Sequence, residues 1–141
     1  MCLFKKKSMS TDSIKIGLKH IGSLFYIVVR SRIRLKLLLD SGASNTQIAI
    51  FALSKCTYER TGEVISTYGV GGSIEAERIC LSLSTIDNSY TKTLMLAHIV
   101  DNLDFCLEMR KLHVDGLLGM DFLNGCMIDL SDNMLVIPNV K

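Results

Sequence analysis

No stretch of this 141-residue chain approaches the ~20 consecutive apolar residues that a membrane-crossing helix requires. The start, Met1-Cys2-Leu3-Phe4-Lys5-Lys6-Lys7-Ser8, is a basic cluster followed by mostly polar residues, where a secretory signal would need an apolar stretch. Cys2 is not the glycine that myristoylation requires. Five cysteines (Cys2, Cys56, Cys80, Cys106 and Cys126) are an odd, widely spaced set without a Cys-x-x-Cys pair. That spacing fits neither a disulfide framework nor a zinc knuckle, and points to reduced thiols in a cytosol-like compartment. An excess of one charge is also missing. Sixteen basic against fourteen acidic residues leave +2, too little to argue for nucleic acid or an anionic membrane as partner. The lack of tryptophan and the single proline exclude no function. The expectation is a soluble, cytoplasmic protein that binds neither nucleic acid nor membrane.

What is present is a globular composition. Hydrophobic residues make up 48% and charged residues 21%, which argues against disorder. The length corresponds to one domain, which buries roughly two-thirds of its unfolded surface. Residues 1–12 read as a loose leader and 13–141 as the domain. Strand-type segments recur at short spacing: Ile14 to Leu18, Ser23 to Arg30, Ile33 to Leu39 and Thr46 to Ile50. Phe51 to Thr57 reads as a short helical or irregular bridge. Glu63 to Thr67 and Ser73 to Leu83 flank the glycine cluster Gly69-Val70-Gly71-Gly72 and read as a hairpin. Asp87-Asn88-Ser89 forms a turn before a strand from Thr91 to Val100, and Asp104 to Leu112 reads as one or two helical turns. Cys126 to Leu130 and Met134 to Ile137 read as strands around Ser131-Asp132-Asn133. Many short strands with one short helix near residue 120 predict an all-β domain, closed or barrel-like.

The most informative stretch is Leu37-Leu38-Leu39-Asp40-Ser41-Gly42-Ala43-Ser44. Its unbroken apolar run predicts a strand buried on both faces. An aspartate just past the end of that strand is expected in low dielectric, where ionisation is costly and the pKa adjustable. Gly42 permits close backbone approach, and Ser41 can donate to a neighbouring strand. Asp40-Ser41-Gly42 resembles the Asp-Thr/Ser-Gly signature of aspartic proteases. Downstream, Val114-Asp115-Gly116-Leu117-Leu118-Gly119-Met120-Asp121-Phe122-Leu123 resembles the hydrophobic-hydrophobic-Gly segment and short helix that close a retropepsin-like domain. The two motifs, in this order and followed by the two terminal strands, are similar to retropepsin-like domains. These include the DNA-damage-inducible ubiquitin-receptor family and bacterial homologues. The resemblance covers about residues 23 to 138.

The resemblance implies an aspartic endopeptidase without metal or organic cofactor. Two adjacent carboxylates cannot both ionise comfortably, so they share one proton and serve as base and acid together. This chain has a single Asp-Ser/Thr-Gly, so the second carboxylate is expected from another copy of the chain, across a two-fold axis. The predicted partners are therefore a homodimer mate and an extended peptide or unfolded protein substrate. Tyr68, Gly69, Val70, Gly71 and Gly72 take the place of the substrate-binding flap. By the same resemblance, Ser41 braces the two active-site loops across the axis, with Gly42 and Ala43 in the loop. Leu117, Leu118 and Gly119 pack behind it. Retroviral members usually carry an acid at the position of Ser44 and an arginine at that of Met120. Both are absent, which favours a cellular or bacterial type. Two other readings stand beside this one: a catalytically silent dimerisation or peptide-binding module of the same fold, and an unrelated β-barrel binding domain. His98 and His113 with Cys80, Cys106 or Cys126 show no metal-ligand spacing.

Overall fold

A computed structural model describes residues 13–69 and 72–138. The expected leader lies outside the described residues, as do Val70 and Gly71 at the tip of the predicted flap.

The chain opens with β1 (Ile14–Gly17), β2 (Lys19–Ile21), β3 (Leu24–Arg30) and β4 (Arg34–Leu39). β5 (Gln47–Ala49) runs into a 3-10 turn over Ile50–Lys55. The long hairpin β6 (Thr57–Gly69) and β7 (Gly72–Ser84) follows, then β8 (Thr91–Val100) and helix α1 (Leu103–Leu112). β9 (Gly116–Leu118), the short helix α2 (Met120–Leu123), β10 (Met127–Asp129) and β11 (Met134–Ile137) complete it. The main sheet has the order β2-β3-β4-β9-β5-β8-β7-β6, and Arg30 of β3 also pairs with Ser84 of β7. That bridge closes β3, β4, β9, β5, β8 and β7 into a barrel, leaving β2 and β6 outside it. A smaller sheet, β1-β11-β10, ties the start of the domain to its end. No helix among the described residues is long and apolar enough to cross a membrane.

The leucine run has a direct explanation in packing. Leu37 lies in the main core with Ile27, Leu35, Ile79, Leu81 and Leu118, while Leu38 lies in a second core with Phe105, Met109 and Val114. Neighbouring residues on a strand face opposite ways, so β4 needs apolar residues in succession only because both of its faces are covered. Helix α1 supplies the second cover. Phe105 and Met109, one turn apart, are fully or nearly fully buried, at 0% and 2% exposure. Asn102 caps the helix by accepting from the Phe105 N–H at 2.9 Å. His113 ends it in the left-handed region at φ 59°.

Two expectations need correction. α1 is a ten-residue helix rather than one or two turns, so α2 near residue 120 is not the domain's lone helix. The capping asparagine and the (i, i+4) apolar pair extend it. The hairpin is also longer than predicted, with 13 residues in each arm. Thr57 to Arg60 pair with Ile79 to Ser82 beyond a bulge, where Gly62 adopts φ +81°. Thr61-Gly62 looks like a strand end in sequence, but here the glycine absorbs an irregularity within a continuing ladder.

Candidate active site

β9 is inserted between β4 and β5, parallel to the first and antiparallel to the second. The chain leaves β4 at Asp40 and must loop across the end of β9 to re-enter the sheet at Gln47. The Asp40 N–H donates to the Leu118 carbonyl at 3.0 Å, and its carbonyl accepts from Ala43 N–H at 3.1 Å, closing a tight turn. Within that turn the Gly42 N–H donates to Asp40 Oδ1 at 3.0 Å. A Cβ at position 42 would stand 3.3 Å from the same oxygen, so glycine leaves that carboxylate room. Asp40 is half-buried, while Ser41 and Gly42 are exposed. The single chain therefore does not place Asp40 in the low-dielectric setting expected for it. The loop sits on the rim of the barrel, where Ser41 and Gly42 are open to solvent.

The loop is fastened from behind by the segment after β9. Met120 N–H donates to the Ala43 carbonyl at 2.8 Å, and Asp121 N–H to that of Ser44 at 3.0 Å. Thr46, fully buried, donates through Oγ1 to Asp121 Oδ1 at 2.7 Å and accepts from Gly119 N–H at 3.1 Å. Its own N–H donates to Asp121 Oδ2 at 2.9 Å. Close approach makes glycine necessary at two points. A Cβ on Gly119 would lie 2.6 Å from the Asn45 carbonyl carbon, and one on Gly116 would lie 2.1 Å from the Gln47 carbonyl oxygen. Leu118 is fully buried beneath the loop, and Leu117 is half-buried on the other face of β9. Sequence reasoning did not single out Thr46 or Asp121. Their signal was a hydroxyl residue closing one loop and an acid in the first turn of a helix, meaningful only once the two segments are brought together.

Two neighbouring aspartates are occupied. Asp121 accepts from Thr46 at both oxygens. Asp115, 5% exposed, accepts from Lys36 N–H at 2.8 Å and from Lys55 Nζ at 2.9 Å. A larger cavity of about 710 Å³ lies on Asp115's side and is lined largely by cationic residues, including Arg34, Lys36 and Arg110. It does not contain Asp40.

On the other side of the Asp40 loop lies a groove of about 340 Å³. It is bounded by Gly42, Ala43, Ser44 and Asn45, by Ile65, Ser66 and Thr67 of the β6 arm, and by Gln47, Arg78 and His98. The hairpin ladder runs to its end with Tyr68 opposite Ser73 and Gly69 opposite Gly72, where Gly72 adopts φ +103°. Ile65, Ser66 and Thr67, which precede the residues expected to form the flap, thus share a groove with the loop after Asp40. His98, 3% exposed, lies in the groove wall. Burial, then the neighbouring Arg78, hold its imidazole below the usual range, against an opposing pull from Asp121. Among the described residues, no group of three or more His, Cys, Asp and Glu side chains is placed to hold a metal ion.

No family model matches the chain, and no curated protein matches it either. Among solved structures it is similar to a retropepsin-like aspartic protease from Rickettsia conorii, with a TM-score of 0.56 and 23% sequence identity over 89% of each chain. At that identity the likeness is one of fold: the chain has the retropepsin-like all-β architecture.

Proposed function

We propose that this protein is an aspartic endopeptidase that acts as a homodimer, with a water molecule activated between two Asp40 carboxylates, one from each protomer. The carrying observation is the setting of Asp40. It ends a strand of a retropepsin-like fold, in a glycine turn fastened to the barrel, and the residues just after it, Gly42 to Asn45, line a groove whose other wall includes Ile65 to Thr67 of the hairpin. Asp121 behind the loop and Asp115 at the far end of β4 are both held in structural bonds, and the second carboxylate comes from a partner. In such a pair one carboxylate is ionised and takes the proton of the attacking water. The other is protonated and donates to the substrate carbonyl, and the dyad titrates as one unit. Exposed Ser41 is free to brace the loops across the axis. The half-exposure of Asp40 in one chain is the state expected of a site that a second copy completes. β10 and the residue after it offer an exposed apolar edge, with Met127 at 53%, Ile128 at 44% and Leu130 at 64% exposure.

The groove and hairpin suit an extended peptide held by strand-type hydrogen bonds under a closing flap. No metal or organic cofactor enters the reaction. Ser44 and Met120 in place of an acid and an arginine support a cellular or bacterial type, of which the DNA-damage-inducible group is one. Four free cysteines, Cys56, Cys80, Cys106 and Cys126, support a cytoplasmic setting. The test is cleavage of an unstructured protein by the purified chain, with and without a pepstatin-type inhibitor. The expected result is inhibitor-sensitive cleavage whose specific activity falls on dilution below the dimer dissociation constant. Cleavage indifferent to the inhibitor would contradict the aspartic mechanism, and no cleavage by a demonstrated dimer would favour a silent peptide-binding module.

A further inference from the structure

Gln47, His98 and Arg78 form a row across three adjacent strands. Gln47 of β5 is in register with His98 of β8, and His98 with Arg78 of β7. Residues paired in this way project to one face, and all three line the groove beside the Asp40 loop. Gln47 and His98 are 4% and 3% exposed. Yet Gln47 Oε1, Arg78 Nε and both ring nitrogens of His98 have no hydrogen-bond partner among the described residues. Orphaned buried polar atoms destabilise a fold, and a wall serving only packing would hold apolar residues there, as Ala49, Val100 and Ala76 do further along the same face.

The orphaned atoms define what would satisfy them. Arg78 Nε–H is a donor, Gln47 Oε1 is an acceptor, and a neutral imidazole contributes one of each. The charge of Arg78 is already met by Glu63, at 3.2 Å. An entering carboxylate would be repelled by Glu63 and would leave the acceptors of Gln47 and His98 unpaired. A carboxamide supplies an acceptor and two donors in one small planar group. We propose that this recess receives the Asn or Gln side chain of a bound peptide, a specificity that rests on the reading of the groove as the peptide site.

Two measurements test this together. A random peptide library is digested with the wild-type dimer and its cleavage sites are read by mass spectrometry. The same library is presented to the immobilised Asp40→Asn protein. Asn and Gln are expected to dominate one fixed position near the cleaved bond. Replacing that residue by Leu or Asp in the best-captured peptide should weaken binding about tenfold. Gln47→Leu and His98→Leu should each shift the preference toward apolar side chains. Gln47→Leu is expected to keep its melting temperature, because it removes an unpaired acceptor. A preference unchanged in Gln47→Leu, or a preference for Asp and Glu, would overturn the carboxamide assignment. Cleavage without any Asn or Gln preference would overturn the recess and leave the peptidase standing. Carboxamide-dependent capture without cleavage would do the reverse, and neither capture nor cleavage would overturn both.

Discussion

Thr46 shows how much of the candidate site depends on a fully buried residue. Its hydroxyl joins Asp121 to the Gly119 N–H, and so joins the loop carrying Asp40 to the end of β9. Thr46→Val keeps the shape but leaves both groups unpaired in a buried place, at a cost of roughly 2–4 kcal/mol. Urea unfolding should show that loss, and a change below about 0.5 kcal/mol would mean the bonds are dispensable. Asp40→Asn is the opposite case. Its one intrachain acceptor contact, from Gly42 N–H to Oδ1, can be kept by the amide oxygen, so fold and melting temperature should hold while hydrolysis disappears. Substantial turnover by this variant would remove Asp40 from the chemistry. His98 gives a pH signature. Its pKa is held below the usual value of about 6.5, so below that pH the unfolded chain binds more protons than the folded one. The contribution is complete above about pH 6.5 and is lost as the pH falls toward the depressed folded value. Arg78 opposes and Asp121 favours the charged ring. The melting-temperature difference between wild type and His98→Gln should therefore shift against wild type between pH 7.5 and 5. An unchanged difference would show that the ring titrates alike in both states.

At the scale of elements, the hairpin β6–β7 and the β4–loop–β9 unit were legible to different degrees. Leu37 to Leu39 announced a strand covered on both faces, and the structure supplies the two covers, barrel core and α1. The loop after it was legible because Asp40, Ser41 and Gly42 are contiguous. The row of Gln47, His98 and Arg78 was not, because it exists only through pairing of three strands distant in sequence. Polar residues interrupting Thr46-Gln47-Ile48 and Ala97-His98-Ile99 were the available sign, and alone they look like ordinary strand alternation. The outer half of β6 was hidden by Gly62, whose positive φ marks a bulge and not a strand end. At the end of the hairpin, Gly72 at φ +103° has open space around a would-be Cβ, so the obstacle to a side chain there is backbone conformation and not packing. Gly72→Val should accordingly lower kcat/KM severalfold with a modest change in melting temperature. Broad unfolding with unchanged efficiency in the surviving fraction would make the glycine a structural turn only.

For the whole molecule, closure of the barrel through Arg30 and Ser84 gives a rigid frame on which one loop and one hairpin face a shared groove. The frame carries Asp40 at its rim, and the proposed function stands or falls on whether activity needs two chains. Mixing decides it. Wild-type and Asp40→Asn chains are combined in varied ratio at constant total concentration, allowed to exchange subunits, and assayed on an unstructured protein. If each site takes one Asp40 from each protomer, mixed dimers are inactive and activity follows the square of the wild-type fraction, about a quarter at equal mixing. Activity proportional to the wild-type fraction, about a half at equal mixing, would show a complete site in each chain and contradict the account.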